Sequence, residues 1–269
     1  MSENAAVHET NGYINTADGK LYYESKGTGL TVILLHGNGE DMSAMKSCAK
    51  VLTGMRFRSL LIDSRAHGRS VLKREAFKKK NTSVEMAEDV RAVMKGLDIE
   101  KAIILGFSDG ANTALEFAAA YPCMTEAVIA ISPNAEPGGL IWPVLFAAGL
   151  KLKLTETELK NVRAGSQAEA ELKKKKLRLG LLTDSPHFSE EKLESIRCPV
   201  LILSGSSDII KRKHTEWIGK HIEKARVVII NGSSHLGFLY KRHKYMPYIT
   251  SFISRIRADF CARRNIAFL

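Results

Sequence analysis

Three residues in this chain combine the right types for nucleophilic chemistry with the right local setting. Ser108 is the centre of Gly106-Phe107-Ser108-Asp109-Gly110. An apolar run, Lys101-Ala102-Ile103-Ile104-Leu105, precedes it, and a helix-favouring stretch, Ala111 to Ala120, follows. The pattern predicts a strand that turns sharply into a helix. Such a turn forces its central residue into an uncommon backbone conformation, and glycines two residues before and two after leave it room. The serine hydroxyl then stands clear of the sheet beside the positive end of a helix. Asp208 closes the run Ser204-Gly205-Ser206-Ser207-Asp208, and His235 closes Asn231-Gly232-Ser233-Ser234-His235. Both runs follow apolar, β-branched segments, at the carboxyl ends of expected parallel strands, where open α/β sheets build their sites. A serine hydroxyl is a weak nucleophile at neutral pH. It needs a base to take its proton and an acid to orient that base and support its charge. Histidine and aspartate are the types that do this, so catalytic roles are expected for Ser108, Asp208 and His235.

Each residue taken alone has another reading. Ser108 could sit in an ordinary strand-to-helix turn. Asp208 could cap a helix beginning near Lys211, with Glu136, after the preceding strand, as a substitute acid. His235 could be a partly buried histidine bonded to a carbonyl. Acyl transfer also generates an oxyanion, which needs fixed donors. His36-Gly37-Asn38-Gly39 follows another apolar run, and the Asn38 N–H is expected to converge with the Asp109 N–H to form the oxyanion hole, with Gly39 next in line. The run Asp63-Ser64-Arg65-Ala66-His67-Gly68-Arg69-Ser70 reads as a turn that supports the nucleophile loop, with Asp63 and His67 structural. His8, His187, His214, His221 and His243 show no ligand spacing, so neither a metal nor a cofactor is expected.

The elements that must hold these residues follow from six apolar runs: Thr31–Leu35, Arg58–Ile62, Ala102–Leu105, Ala127–Ile131, Val200–Leu203 and Val227–Ile230. Near-continuous apolar runs of this length suit strands buried on both faces, and their spacing implies crossover helices and a largely parallel sheet. Gly19 to Glu24 reads as an antiparallel edge strand, with earlier residues available to pair with it. The fold class expected is α/β, a mostly parallel central sheet with helices on both faces. Between Ile131 and Val200 the alternation stops for too long to be one connection. Residues 134–196 therefore read as a helical insertion, and residues 1–133 with 197–269 as the core domain.

With 269 residues, 45% hydrophobic and 26% charged, the chain can build one large α/β domain. No apolar run is long enough to span a bilayer. Met1-Ser2-Glu3-Asn4 lacks the basic and apolar start of a signal peptide. The four cysteines are scattered, with no C-x-x-C pair, which argues for reduced thiols and a cytoplasmic setting. The net charge is +11, from clusters at Lys78–Lys80, Lys173–Lys176, Lys241–Lys244 and Arg263-Arg264. These read as solvated faces or as attraction for anions. Charge alone leaves nucleic acid last among partners, since no recognition motif accompanies it.

On His36-Gly37, Asp63 to Ser70, Gly106 to Gly110, Asp208 and His235, in that order, the chain resembles the α/β-hydrolase superfamily over about residues 19–260, and within it the small intracellular serine esterases and thioesterases. It departs from many relatives in having Ala66 before the histidine of the supporting turn. Its serine nucleophile argues against the branches that attack through a carboxylate. The resemblance implies that residues 134–196 form a cap, with Trp142, Phe146, Pro186, His187 and Phe188 as candidate pocket residues or cap core. It further implies hydrolysis of a small-molecule ester or thioester through an acyl-enzyme. Hydrolysis of a carbon–carbon bond in a diketone-like substrate, or a slow-turnover binding member of the fold, are the alternatives.

Overall fold

The computed structural model describes residues 9–263. The amino-terminal residues read for a leader, His8 and Arg264 lie outside the described residues. The frame is one mixed sheet of nine strands: β1 (Glu9–Thr16), β2 (Gly19–Lys26), β3 (Thr31–Leu35), β4 (Arg58–Ile62), β5 (Val71–Leu72), β6 (Ala102–Phe107), β7 (Thr125–Ile131), β8 (Val200–Ser207) and β9 (Ala225–Ser234). The order is β1-β2-β4-β3-β6-β7-β8-β9, with β5 paired to β2. Strands from β4 to β9 along this path run parallel, while β1 and β2 are antiparallel. The earlier residues that the sequence left free to pair beside β2 are β1.

The apolar runs are strands because each can bury both faces. Ile33, Leu35, Ile104, Val128 and Ile202 point to one side, where α2 (Ser83–Gly96), α3 (Asp109–Ala120) and α7 (Arg212–Lys220) supply Val90, Leu115 and Ile218. Val32, Leu34, Ile103, Ile129 and Leu203 point to the other, against α1 (Lys46–Gly54) and α9 (Met246–Arg263), which supply Leu52, Ile249 and Ile253. The alternation along each strand is the period of two that places successive side chains on opposite faces. α2 starts on a capping box, Thr82 with Glu85, which satisfies two of its first N–H groups.

Between β7 and β8 lie α4 (Trp142–Asn161), α5 (Gln167–Thr183) and the short α6 (Glu190–Glu194). α4 and α5 pack on each other as a helical pair. The end of this segment behaves differently: Phe188, Leu193 and Ile196 are buried in the same apolar cluster as the sheet. Of the aromatic candidates, Trp142 is 69% exposed and Phe146 57% exposed, and their rings stack at 5.0 Å.

The chain passes from β3 outward to β4 and then returns to the other side of β3 as β6. The loops after β3 and β6 therefore diverge and leave a crevice at their carboxyl ends. This is the switch point where open α/β sheets place their ligands.

Candidate active site

The turn at Ser108 is built by exclusion. Ser108 has φ 52° and ψ −118°, a strained region for a non-glycine residue. A Cβ on Gly106 would overlap the Gly110 carbonyl, and one on Gly110 would overlap the Leu35 and His36 carbonyls. Only glycine permits this approach of α3 to the strands. The turn is tied down by the Ser108 N–H, which donates to the Ile131 carbonyl at 2.8 Å.

Asp208 and His235 are brought together by strand register. β8 and β9 pair regularly from Val200↔Ala225 to Gly205↔Ile230, then shift, and Ser207 faces Ser234. The residues immediately after that pair are Asp208 and His235. The two serine- and glycine-rich runs expected as turns are thus the ends of paired strands, and the extra residues on β9 form the irregularity that sets the register. His235 Nδ1 lies 2.7 Å from Asp208 Oδ1, and His235 Nε2 lies 3.1 Å from Ser108 Oγ.

The Asp208 carboxylate is well solvated by the protein. It accepts hydrogen bonds from Ser132 Oγ at 2.6 Å, Ser204 Oγ at 3.1 Å, the Gly205 N–H at 3.2 Å and the Ile210 N–H at 3.2 Å. Burial works against its charge, but the hydrogen bond and charge of His235, then Ser132 and the Ile210 N–H, outweigh it and hold the group down at about 2. Asp208 does not cap the next helix, whose N-cap is Lys211. Glu136 lies beside His214 instead. The sequence did not single out Ser132. Its φ of 53° and its place one residue after β7 are what aim its hydroxyl at Asp208.

In the loop after β3, most N–H groups are already occupied. The Gly37 N–H donates to Glu40 at 3.1 Å, and the Gly39 N–H donates to His67 Nε2 at 3.1 Å. Among the described residues, the N–H groups of Asn38 and of Asp109, the first residue of α3, have no acceptor within the protein. The Asn38 side chain is committed as well: its amide donates to Asp109 Oδ2 at 2.7 Å and to the Arg178 carbonyl on α5 at 2.6 Å. Burial raises the pKa of Asp109, with Asn38, His235 and Asn112 offsetting part of the effect. Burial also raises that of Glu40, partly offset by the Gly37 N–H and His235. Glu40 had no signal in the sequence beyond its place next to the glycine loop.

The second histidine-bearing turn is scaffolding. Asp63 accepts from the Met42 N–H at 2.9 Å and the Arg69 N–H at 2.8 Å, and a Cβ on Gly68, at φ 49°, would overlap its carboxylate. His36 Nε2 accepts from the Ser64 N–H at 3.0 Å. Burial lowers the pKa of His36, and burial together with His36 pushes His67 down to about 3. Both imidazoles accept a backbone N–H at Nε2, from Ser64 and from Gly39, and form the wall behind the loop. Arg65 forms a buried ion pair with Asp89 at 2.6 Å and a second with Asp18 at 3.2 Å beneath them. Among the described residues no group of three or more His, Cys, Asp or Glu side chains is placed to hold a metal ion, and no helix is long and apolar enough to cross a membrane.

A serine on a glycine-framed strand-to-helix turn, at the switch point of a sheet in this order, defines the α/β-hydrolase fold, and the class is that of the serine hydrolases. A family model described as serine aminopeptidase, S33, matches residues 28–239, and the chain belongs to that family. Among curated proteins, the chain is 27% identical over 261 residues to an sn-1-specific diacylglycerol lipase, ABHD11, of Xenopus tropicalis, covering 86% of this chain and 80% of that one. It is 25% identical over 155 residues to the human serine hydrolase BPHL, covering 55% of this chain and 53% of that protein's length. Among solved structures, a thermophilic esterase from Thermogutta terrifontis superposes with a TM-score of 0.73 at 21% identity, covering 92% of this chain and 99% of that one.

Proposed function

We propose that the chain hydrolyses a carboxylic ester or thioester of a small molecule through an acyl-enzyme formed on Ser108. The observation that carries this reading is the continuous link from Asp208 Oδ1 through His235 to Ser108 Oγ, at 2.7 and 3.1 Å. In this reading Ser108 Oγ attacks the substrate carbonyl carbon and its proton passes to His235 Nε2. The Asp208 carboxylate, ionised throughout, fixes the imidazole with Nδ1 protonated and supports the imidazolium that forms. The oxyanion is taken by the Asn38 and Asp109 N–H groups, which have no acceptor among the described residues. His235 then protonates the leaving alcohol or thiol, and water enters to release the acid by the same steps in reverse order.

The helices between β7 and β8 act as the cap in this reading. α5 contacts the loop after β3 through Arg178, so the cap bears on acyl-group selection without contributing to bond cleavage. The names of the relatives, lipase and esterase, point to the same chemistry. The four free cysteines suit a reducing, cytoplasmic setting.

The test is labelling with a fluorophosphonate together with a panel of p-nitrophenyl esters and acyl thioesters of graded chain length. Labelling at Ser108 with measurable turnover of at least one chain length is expected. Labelling without turnover across the panel favours the slow-turnover binding reading, and products of carbon–carbon cleavage from a diketone favour the other alternative.

A further inference from the structure

The longer helix of the pair between β7 and β8 turns its large apolar side chains outward. Trp142, Phe146, Leu150 and Leu154 recur every four residues and share one face of α4. Leu150 is 50% and Leu154 53% exposed, and they continue the stacked rings of Trp142 and Phe146. The side chains that α4 buries are Ala148 and Thr155, one small and one polar. A helix covered on one side and facing water on the other has the reverse pattern. The outward face presents on the order of several hundred Å² of apolar surface, the size that marks an interaction surface.

The charge around this face has one sign. Lys151 and Lys153, both exposed, border it on either side, and Lys160 follows in the last turn. The two carboxylates of α4 are taken up by α5: Glu156 pairs with Lys176 at 2.8 Å and Glu158 with Lys175 at 3.5 Å. Lys151, Lys153 and Lys160 make no ion pair among the described residues.

The aromatic end of the face lies beside the candidate site. The N–H of Ile141, the N-cap of α4, donates to the Ile209 carbonyl at 2.9 Å, and Leu140 pairs with Ile210 in an isolated bridge. The first turn of α4 is thus anchored on the loop that carries Asp208.

We propose that α4 docks the protein onto a phospholipid surface carrying anionic headgroups. Trp142, Phe146, Leu150 and Leu154 enter the boundary between headgroups and acyl chains, and Lys151 and Lys153 meet the headgroup charge. Aromatic and leucine side chains on one face with lysines along its edges are the composition of a helix that lies in such an interface. Lysine stems run along apolar surface while their ammonium groups reach the polar layer. A second copy of the chain is a poorer occupant. Paired about this face, Lys151 and Lys153 would confront their equivalents in a molecule whose net charge is already +11. The docking requires neither Ser108 nor its partners, so it stands apart from the hydrolytic reading.

The test is co-sedimentation of the full chain with phosphatidylcholine vesicles, with and without phosphatidylserine, at low and high salt. Binding to the phosphatidylserine vesicles that falls at high salt, and weaker binding to phosphatidylcholine alone, are expected. Lys151→Gln with Lys153→Gln should weaken binding by about tenfold or more, from about fivefold per lysine at an anionic surface. Leu150→Gln with Leu154→Gln should weaken it by at least as much. Lys50→Gln with Val51→Ser, an exposed pair on α1, should bind as wild type does. All these positions are exposed, and thermal melting checks each fold. Trp142 emission should shift to the blue on binding and be quenched by lipid brominated in its acyl chains, a signal that Trp142→Phe should lose. Three results would overturn the proposal: no binding to phosphatidylserine vesicles; equal weakening by the α1 pair; or, without vesicle binding, a dimer in sedimentation velocity that Leu150→Gln with Leu154→Gln dissociates.

Discussion

Asn38 donates its side-chain amide to the Arg178 carbonyl at 2.6 Å, joining the loop after β3 to α5. The same amide holds Asp109 Oδ2 at 2.7 Å. One nitrogen thus connects the loop after β3, the start of α3 and α5. The sequence marks only the backbone N–H of Asn38, as an oxyanion donor, and gives no signal for its side chain. With the side chain engaged twice, Asn38→Ala is expected to reduce ester turnover by about tenfold, the scale of one lost hydrogen bond to a buried charge. Asn38→Pro also removes the N–H and should cost two to three decades, with folding checked by thermal melting. Equal rates for wild type and alanine would show that the side-chain bonds are dispensable.

Ser108→Ala should abolish fluorophosphonate labelling and lower ester turnover by about three decades or more. A variant within tenfold of wild type, far from that scale, would remove Ser108 from the chemistry.

Asp208→Asn should leave the fold intact and cut turnover by a large factor, about three to four decades on the scale of other such acids. The amide favours the wrong imidazole tautomer and cannot support its charge. Labelling by the phosphonate should slow in parallel. Near-normal rates would send the search for the acid elsewhere. Glu136, the substitute considered from sequence, neighbours His214 rather than His235.

Acid should destabilise the protein well above the carboxylate range. His67 is held neutral at about 3 by burial and by His36, against an ordinary value of 6.5. A depressed folded value means that the unfolded chain takes up the proton first. The stability linked to His67 is therefore complete above pH 6.5 and is lost as the pH falls toward 3. Between pH 7.5 and 5 the loss should be about 2 kcal/mol. The Asp208 contribution has the same sign but a lower window, from 3.8 down to about 2. Urea denaturation at the two pH values is the check. His67→Gln should be less stable at pH 7.5 but show a flatter dependence, and a wild-type midpoint unchanged at pH 5 would contradict the assignment.

The parallel sheet was readable in the sequence because strands such as Ile103 to Leu105 are apolar on both faces, a pattern that few other environments produce. Ser108 was readable because Gly106 and Gly110 are local requirements of its turn. What escaped was set by pairing at a distance. Ser204 to Ser207 and Asn231 to Ser234 have poor intrinsic strand preference and read as turns, yet each continues a strand because its neighbour does. Ser132, Glu40 and the Asn38 side chain act through partners dozens of residues away, and no local pattern marks such contacts. Trp142 and Phe146, candidates for pocket or cap core, lie exposed at the start of α4 and so are not cap core among the described residues.

The Ser207↔Ser234 pairing has a consequence for how this protein can change. Asp208 and His235 meet because each is the next residue after that pair, so one deletion or insertion within the last turns of β8 or β9 would rotate one partner to the opposite face of the sheet. Point substitutions there should be far better tolerated than changes in length. Between β7 and β8 the opposite holds, because residues added to the loop joining α4 to α5 alter no register at all. Drift by insertion and deletion is therefore channelled into the helices above the sheet, which can change length while Asp208 and His235 stay in phase.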